Sequence, residues 1–587
     1  MATIRTFKIP FLLTVLLIVL HTFSKDFTEP YERPIGGDAQ GYYAYLPALF
    51  IYGDLEYSFA PEMNKKYYPE GFGKSFVKEA PNGEKVNKTF PGVAVLYAPF
   101  FFMAHGSALI FGLEADGYSN IYQFFFLLGF WVYFLLGMIF FVKVLRKMNF
   151  EALHVNMALI ILVLGTNIFF YSVHDQSVTH IHNFFMINAA IYYFLCFRDD
   201  RKYWQLGLGI FLLVLIGITR PTNILALPLI LFFVPQASFY QSLLGTLKKP
   251  SSLLKTVAIV VAVMMIPLLL WKAQTGNWVV YSYGEEGFDF AHPYFTDFLF
   301  SYMKGWWVYT PIALIILITG GILLFRKSKA QAIYVAGFYL LCVYVFSSWW
   351  CWYYGAGMGQ RVMIDHYILL GFLLLLLLRY LKEKRVLKVF FAALFVACIG
   401  LNVAQAYQIR YGILPFGAPT KEQYWDNFLG FEKQARVYPR ENWKLFYERD
   451  LDLSPEAGFL QNDYTRAKID EDWTIHVSRF YEYSGLVKTT SKFERGSKLI
   501  IQFEARARTK VEETRLVMIY SYGGEQKRRS YNLSEYAKQN EWVLMEFLLE
   551  PDFAFTHLEL YFWNAGTNEK VEFKKLKLLH YFSDDYM

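Results

Sequence analysis

Six short segments carry residues whose types and spacing suit chemistry. In GGDAQGYYAYLPALFIYGDL, residues 36–55, Asp38 follows two glycines and precedes an aromatic stretch with Tyr42 and Tyr43. A carboxylate at a membrane surface can take a proton from an attacking hydroxyl. Asp is also a favoured N-cap, and a helix beginning near Ala39 would use it that way. In NKTFPGVAVLYAPFF, residues 87–101, Lys88 stands just ahead of a Pro-Gly pair. An ammonium at headgroup level suits a lipid phosphate. An ordinary snorkelling lysine is the other reading.

YSVHDQSVTHIHNFF, residues 171–185, holds His174, Asp175, His180 and His182 between two apolar runs. The spacing matches no catalytic zinc pattern. On a helix starting near Thr179, His180 and His182 point about 200° apart. Hydrogen bonding to substrate or to structure fits Asp175 and His180 better than metal ligation. GITRPTNILALP, residues 217–228, places Arg220 and Asn223 at a break in an apolar hairpin. GNWVVYSYGEEGFDFAHPYF, residues 276–295, brings Glu285 and Glu286. SSWWCWYYGAGMGQRVMIDHY, residues 347–367, has small residues that allow close backbone approach, then Arg361 and Asp365. Its tryptophans read equally as an interfacial aromatic belt. The guanidinium of Arg361 suits a phosphate. No GxxxxGK[ST], GxGxxG after a strand or soluble DxD pair is present, so no nucleotide site is visible.

These residues must be positioned by membrane elements. Hydrophobic residues make up 55% of the 587 and charged residues 18%, with the apolar ones clustered in long runs. That excludes a disordered, collagen-like or purely soluble chain. The four cysteines fall in or beside apolar runs, so no disulfide framework is expected. Twelve runs approach the length of a spanning helix: 9–23, 92–112, 118–142, 152–172, 179–197, 204–219, 221–236, 253–271, 307–325, 331–347, 362–380 and 386–407. Six basic clusters follow or precede them, around Arg5, Lys143, Arg198, Lys248, Arg326 and Lys382. All six fall on one side if a single run between residues 24 and 142 does not cross. Proline, histidine and the acidic LEADG end single out 92–112. The expectation is eleven spans, a juxtamembrane 92–112 segment, a cytoplasmic N-terminus and an extracytoplasmic C-terminus in the cell (inner) membrane. All six chemical segments then share the outer side. The net charge of +7 is accounted for by the cytoplasmic clusters, and no nucleic-acid partner is implied.

The composition changes after residue 410. Residues 411–472 read as a polar connector with little periodicity. KLIIQFEARAR, TRLVMIYSYG, EWVLMEFLLEP, HLELYFWNAG and KVEFKKLKLLHYF then alternate with period two. An all-β sandwich over 473–587 follows, jelly-roll-like, used either for spacing or for binding sugar.

Taken in order, the first-loop Asp38, the Lys88-x-x-Pro91 segment, Asp175, the Arg220-Pro-Thr-Asn turn and the late WW…G…G.R motif resemble the GT-C glycosyltransferases. The nearest likeness is to family 39, the protein O-mannosyltransferase and aminoarabinose transferase branch. The resemblance covers 1–410. It implies a GT-C transmembrane domain and transfer of a sugar from a polyprenyl phosphate to an acceptor hydroxyl of a glycan, lipid or protein, with inversion. It implies Asp38 as catalytic base. Lys88, Arg361 and Arg220 are the expected phosphate cations, and Asp175, His180, Tyr42, Tyr43, Glu285 and Glu286 the expected substrate contacts. No cofactor or metal is required by this scheme. The chain has Phe90-Pro91-Gly92 where the family tends to Pro-Pro, and no carboxylate beside Asp38. A polytopic transporter or flippase for lipid-linked sugars is the alternative, but it should show internal repeats between halves, and none is seen. A membrane-anchored carbohydrate receptor would need only one span.

Overall fold

Backbone polar groups cannot be left unpaired in hydrocarbon, so long apolar runs fold as helices. The computed structural model describes residues 2–25, 32–68, 76–234, 237–417, 419–434, 436–437, 443–450, 468–469, 475–477, 487–493, 497–522, 525–551, 553–564 and 569–583. The chain forms two units, Met1–Arg410 with Leu414–Lys421, and Tyr411–Ile413 with Glu422–Met587.

The first unit is helical and identifies a polytopic integral membrane protein. Among the described residues seven helices are long and apolar enough to cross a membrane: Phe7–Ser24, Gly92–Ile110, Asn120–Lys147, Pro250–Thr275, Lys329–Ser347, Arg361–Leu381 and Arg385–Arg410. The broken pair Pro221–Phe233 and Ala237–Leu247 is an eighth candidate. The other runs expected to span are helices with identifiable shortcomings. The 152–172 run stops at Gly165, where Thr166 is extended, and resumes at Ile168. Tyr203–Gly217 and Pro311–Lys327 have 15 and 17 residues, and His180–Asp200 carries charge at its end.

The Gly92–Ile110 helix, expected to lie outside the spans, is long and apolar enough to cross, and its contacts fix its direction. His105 Nδ1 lies 2.6 Å from the Tyr122 hydroxyl, and the Tyr133 hydroxyl donates to the Leu96 carbonyl at 2.6 Å. It therefore runs antiparallel along the first half of Asn120–Lys147. The second half packs on His180–Asp200, through Phe140–Phe185 and Phe141–Phe184 and finally the Lys147–Asp199 ion pair.

The second unit is a β-sandwich. One sheet orders its strands Val543–Leu549, Ser497–Ala507, Val571–Ser583, Ile475–Val477 and Lys468–Ile469, with Trp443–Asp450 also on Val571–Ser583. The other orders Val487–Phe493, Phe555–Trp563, Arg515–Tyr522 and Glu525–Asn532. Phe503, Met545 and Phe573 of the first sheet share a core with Met518, Leu558 and Phe562 of the second. The five alternating segments are all strands. Trp443–Asp450 corrects the connector reading of 411–472: it lacks clean alternation and is held by pairing with a strand more than 120 residues later. Connector residues 451–467 and 470–472 lie outside the described residues.

Candidate active site

Asp38 opens the Asp38–Pro47 helix, and its place is set by two glycines. Gly37 is the N-cap at φ +50°, a conformation that favours glycine, and a Cβ there would also lie 3.3 Å from Ser177 Oγ. The backbone closes the first turn through Ala39 N–H donating to the Gly36 carbonyl at 3.0 Å. Among the described residues the Asp38 side chain makes no bond to the N–H groups of its own helix. Its carboxylate instead accepts from Arg361 Nη2 at 2.7 Å, with the Asp38 side chain 46% exposed and that of Arg361 12%. The capping alternative is thereby replaced by an ion pair facing open space. Burial alone would raise the Asp38 pKa, but Arg361, then Arg220 and Lys88, outweigh it and hold the carboxyl below its usual range.

Arg361 is delivered by the glycine-rich loop. Tyr354, Gly355, Gly357 and Gly359 all have positive φ, at 55°, 74°, 122° and 56°. A Cβ on Gly357 would meet the Tyr171 hydroxyl at 2.4 Å, and that hydroxyl accepts from Met358 N–H at 3.1 Å. Lys304, 2% exposed, ties the loop down: its ammonium donates to the Gly357 carbonyl and, at 3.1 Å, to the Phe416 carbonyl. Burial, helped by the nearby Arg361 charge, lowers the Lys304 pKa to about 7. Arg361 Nε is buried without a hydrogen-bond partner among the described residues, so part of its donor fork is unused.

Lys88 binds Glu286 Oε1 at 2.7 Å, and Lys78 lies 3.7 Å from the same oxygen. The other Glu286 oxygen accepts from Trp350 Nε1 at 3.3 Å. Two residues beyond Thr89-Phe90, Gly92 N–H donates to the Ile218 carbonyl at 3.0 Å, and a Cβ on Gly92 would collide with Thr219. Only glycine lets the Lys88 segment close on the Arg220 turn. Arg220 itself donates to His180 Nε2 at 2.9 Å and sits 5.8 Å from the centre of the Tyr354 ring. His180 Nδ1 lies 2.8 Å from Asp365 Oδ1, and Asn183 donates to Asp365 Oδ2 at 2.8 Å.

The other expected contacts divide. Tyr42 is buried beside Arg220 and Asp38, and burial pushes its phenol up. Tyr43 points elsewhere: its hydroxyl donates to the Gly117 carbonyl at 3.0 Å and its ring packs on Phe101 and Phe126. One residue along a helix rotates by about 100°, which separates the two. Asp175 Oδ1 is engaged by Ser177 N–H at 3.1 Å and Ser177 Oγ at 2.6 Å, so it folds its own turn against Gly37. Glu286 joins the cluster, whereas Glu285 is exposed with no polar partner among the described residues. His180 has both ring nitrogens occupied and is 1% exposed, so it does not reach a substrate. Among the described residues no group of three or more His, Cys, Asp or Glu could hold a metal. Lys304 and Asn183 were not expected. Lys304 did leave a signal, as one of the few basic residues away from the six clusters.

No family model matches the sequence, and no curated protein matches it. Among solved structures, the chain aligns with the single-particle cryo-EM structure of arabinosyltransferase EmbB from Mycobacterium smegmatis. The identity is 10% and the TM-score 0.36, with 97% of this chain and 64% of that chain covered. This chain thus spans just under two thirds of that protein's length, and a likeness at that TM-score assigns neither family nor activity.

Proposed function

We propose that the protein is a GT-C-type membrane glycosyltransferase that moves a sugar from a polyprenyl phosphate to an acceptor hydroxyl on the extracytoplasmic face. The observation that carries this reading is an accessible carboxylate, Asp38, bonded to one arginine and surrounded by three cations from three distant segments. The acceptor oxygen attacks the anomeric carbon from the face opposite the phosphate. The bond from that carbon to the phosphate oxygen breaks, its electron pair leaves on polyprenyl phosphate, and the acceptor proton passes to Asp38. One base without a carboxylate nucleophile favours direct displacement with inversion.

Arg361, Arg220 and Lys88 serve the charge that develops on the leaving phosphate, in a site of low dielectric. A carboxylate held low by arginine is ionised but weakly basic. A donor phosphate that competes for Arg361 relaxes that hold, so donor binding strengthens the base at the moment it is needed.

The test compares cells with and without the protein by mass spectrometry of surface glycans and polyprenyl-linked sugars. Loss of one glycosyl unit from the surface, with build-up of its polyprenyl-phosphate form, is the expected result. Loss of that unit with its polyprenyl-phosphate form trapped on the cytoplasmic rather than the outer leaflet would instead establish a flippase.

A further inference from the structure

Three cations surround the Asp38 carboxylate, and they are restrained in two different ways. Lys88 and Arg361 each touch a carboxylate directly, at 2.7 Å in both cases. Arg220 makes no ion pair among the described residues. Its side-chain partner is the His180 ring.

The direction of that contact is fixed by chemistry. A guanidinium has donors and no acceptor, so His180 Nε2 must accept. Nδ1 therefore carries the ring proton and donates it to Asp365 Oδ1 at 2.8 Å. Asp365 is 3% exposed and its second oxygen takes the Asn183 amide at 2.8 Å. Asn183 also lies 3.4 Å from Asn223 Oδ1, on the far side of the same Arg220-Pro221 turn. The line Asn183–Asp365–His180–Arg220 is directed throughout, its first three members buried and the Arg220 guanidinium at its end half-buried.

We infer that His180 and Asp365 are positioning residues that orient Arg220 through a neutral imidazole, so that its charge stays available to an incoming phosphate. A carboxylate in direct contact would hold Arg220 equally well but would neutralise it. Placing one ring between the two charges lengthens their separation, and Coulombic attraction falls with distance. The site thus contains two cations already engaged by acids and one kept in reserve. This inference rests on the phosphate role proposed for Arg220.

The test uses the full-length protein in lipid nanodiscs and farnesyl phosphate as the probe. Arg220→Ala should weaken binding roughly tenfold to a hundredfold, the range for losing a charge-assisted hydrogen bond. His180→Ala should weaken it by a similar or smaller factor, and the double variant should bind no worse than Arg220→Ala alone. Losses that multiply in the double variant would overturn the inference, because His180 would then act independently of Arg220. If either variant fails to fold, the isosteric Asp365→Asn and nitrogen NMR of histidine-labelled wild-type protein carry the test. The ring proton of His180 is expected on Nδ1, and a proton on Nε2 overturns the line. Should Arg220→Ala leave farnesyl phosphate binding unchanged, the phosphate role of Arg220 fails, and the tautomer measurement alone decides whether the line orients it.

Discussion

Two carboxylates, one in each unit, are both held below their usual range and yet are built differently. Glu569 in the β-sandwich is 6% exposed. It accepts from the N–H groups of Glu512, Glu513 and Thr514 at 2.8, 2.7 and 3.0 Å, and from the Thr514 hydroxyl at 2.5 Å. Every direction from which a donor could come is used, and the group staples a turn. Asp38 takes one arginine and leaves the rest of its carboxylate accessible. Saturation marks a carboxylate that holds structure. An ionised carboxylate with one strong partner and open lone pairs is one that can still react.

The sharpest way to break that contrast is to neutralise each acid. Asp38→Asn keeps the size and should leave expression unchanged, with detergent stability only slightly lower through the lost Arg361 pair. Sugar transfer should fall by roughly 10²–10⁴-fold, the usual range for losing acid–base catalysis. Near-normal transfer by a well-expressed variant would refute the base. Glu569→Gln should do the reverse. It should cost the sandwich about 1–3 kcal/mol through unsatisfied N–H groups, read as a lower unfolding midpoint. For Asp38 the depressed pKa also sets a pH window. Its pairing with Arg361 contributes stability above the ordinary carboxylate range and is lost as pH falls through the lower folded value.

The cations come next in size. Lys88→Ala and Arg361→Ala should each weaken polyprenyl-phosphate handling by roughly tenfold or more while membrane insertion persists. Lys88→Arg should be intermediate, since charge persists and geometry changes. Wild-type donor affinity in both alanine variants would remove the phosphate role.

A third comparison sets the two units against each other by truncation. A chain ending at 421 should accumulate as an inserted membrane protein. One ending at 472 keeps Trp443–Asp450 but removes the strand it pairs with, and should accumulate less because the unpaired edge invites aggregation. Equal accumulation would show that the early strand needs no partner.

The last effect concerns Lys304. Its folded pKa of about 7 lies below the unfolded value near 10.4, so the folded state binds fewer protons between those limits. Stability should rise with pH across that window, and the burial penalty is complete below it. The midpoint of the wild type relative to Lys304→Met should therefore increase from pH 7 to 10. A flat difference would show that the ammonium stays charged.

Much of this was legible because it rests on local chemistry. Apolar runs had to become helices, period-two alternation had to become strands, and the GAGMG loop marked a close backbone approach. Asp38, Lys88, Arg220 and Arg361 were each recognisable as costly ionic groups near apolar runs. Their partners were not. Asp38 and Arg361 lie 323 positions apart, and Lys88 and Glu286 lie 198 apart. Nothing local distinguishes Glu286 from Glu285, or Tyr42 from Tyr43, because neighbouring residues leave a helix or loop in different directions. His180 shows the same limit: the sequence placed a histidine near the site, but only packing against Asp365 and Arg220 fixed its tautomer and withdrew it from the substrate. The sequence alone determined that the first unit is a set of apolar membrane helices, where the β unit lies and which ionic groups sit near apolar runs, since these follow from composition and period. Tertiary structure alone decided which acid meets which cation, because those pairings are set by how distant helices pack.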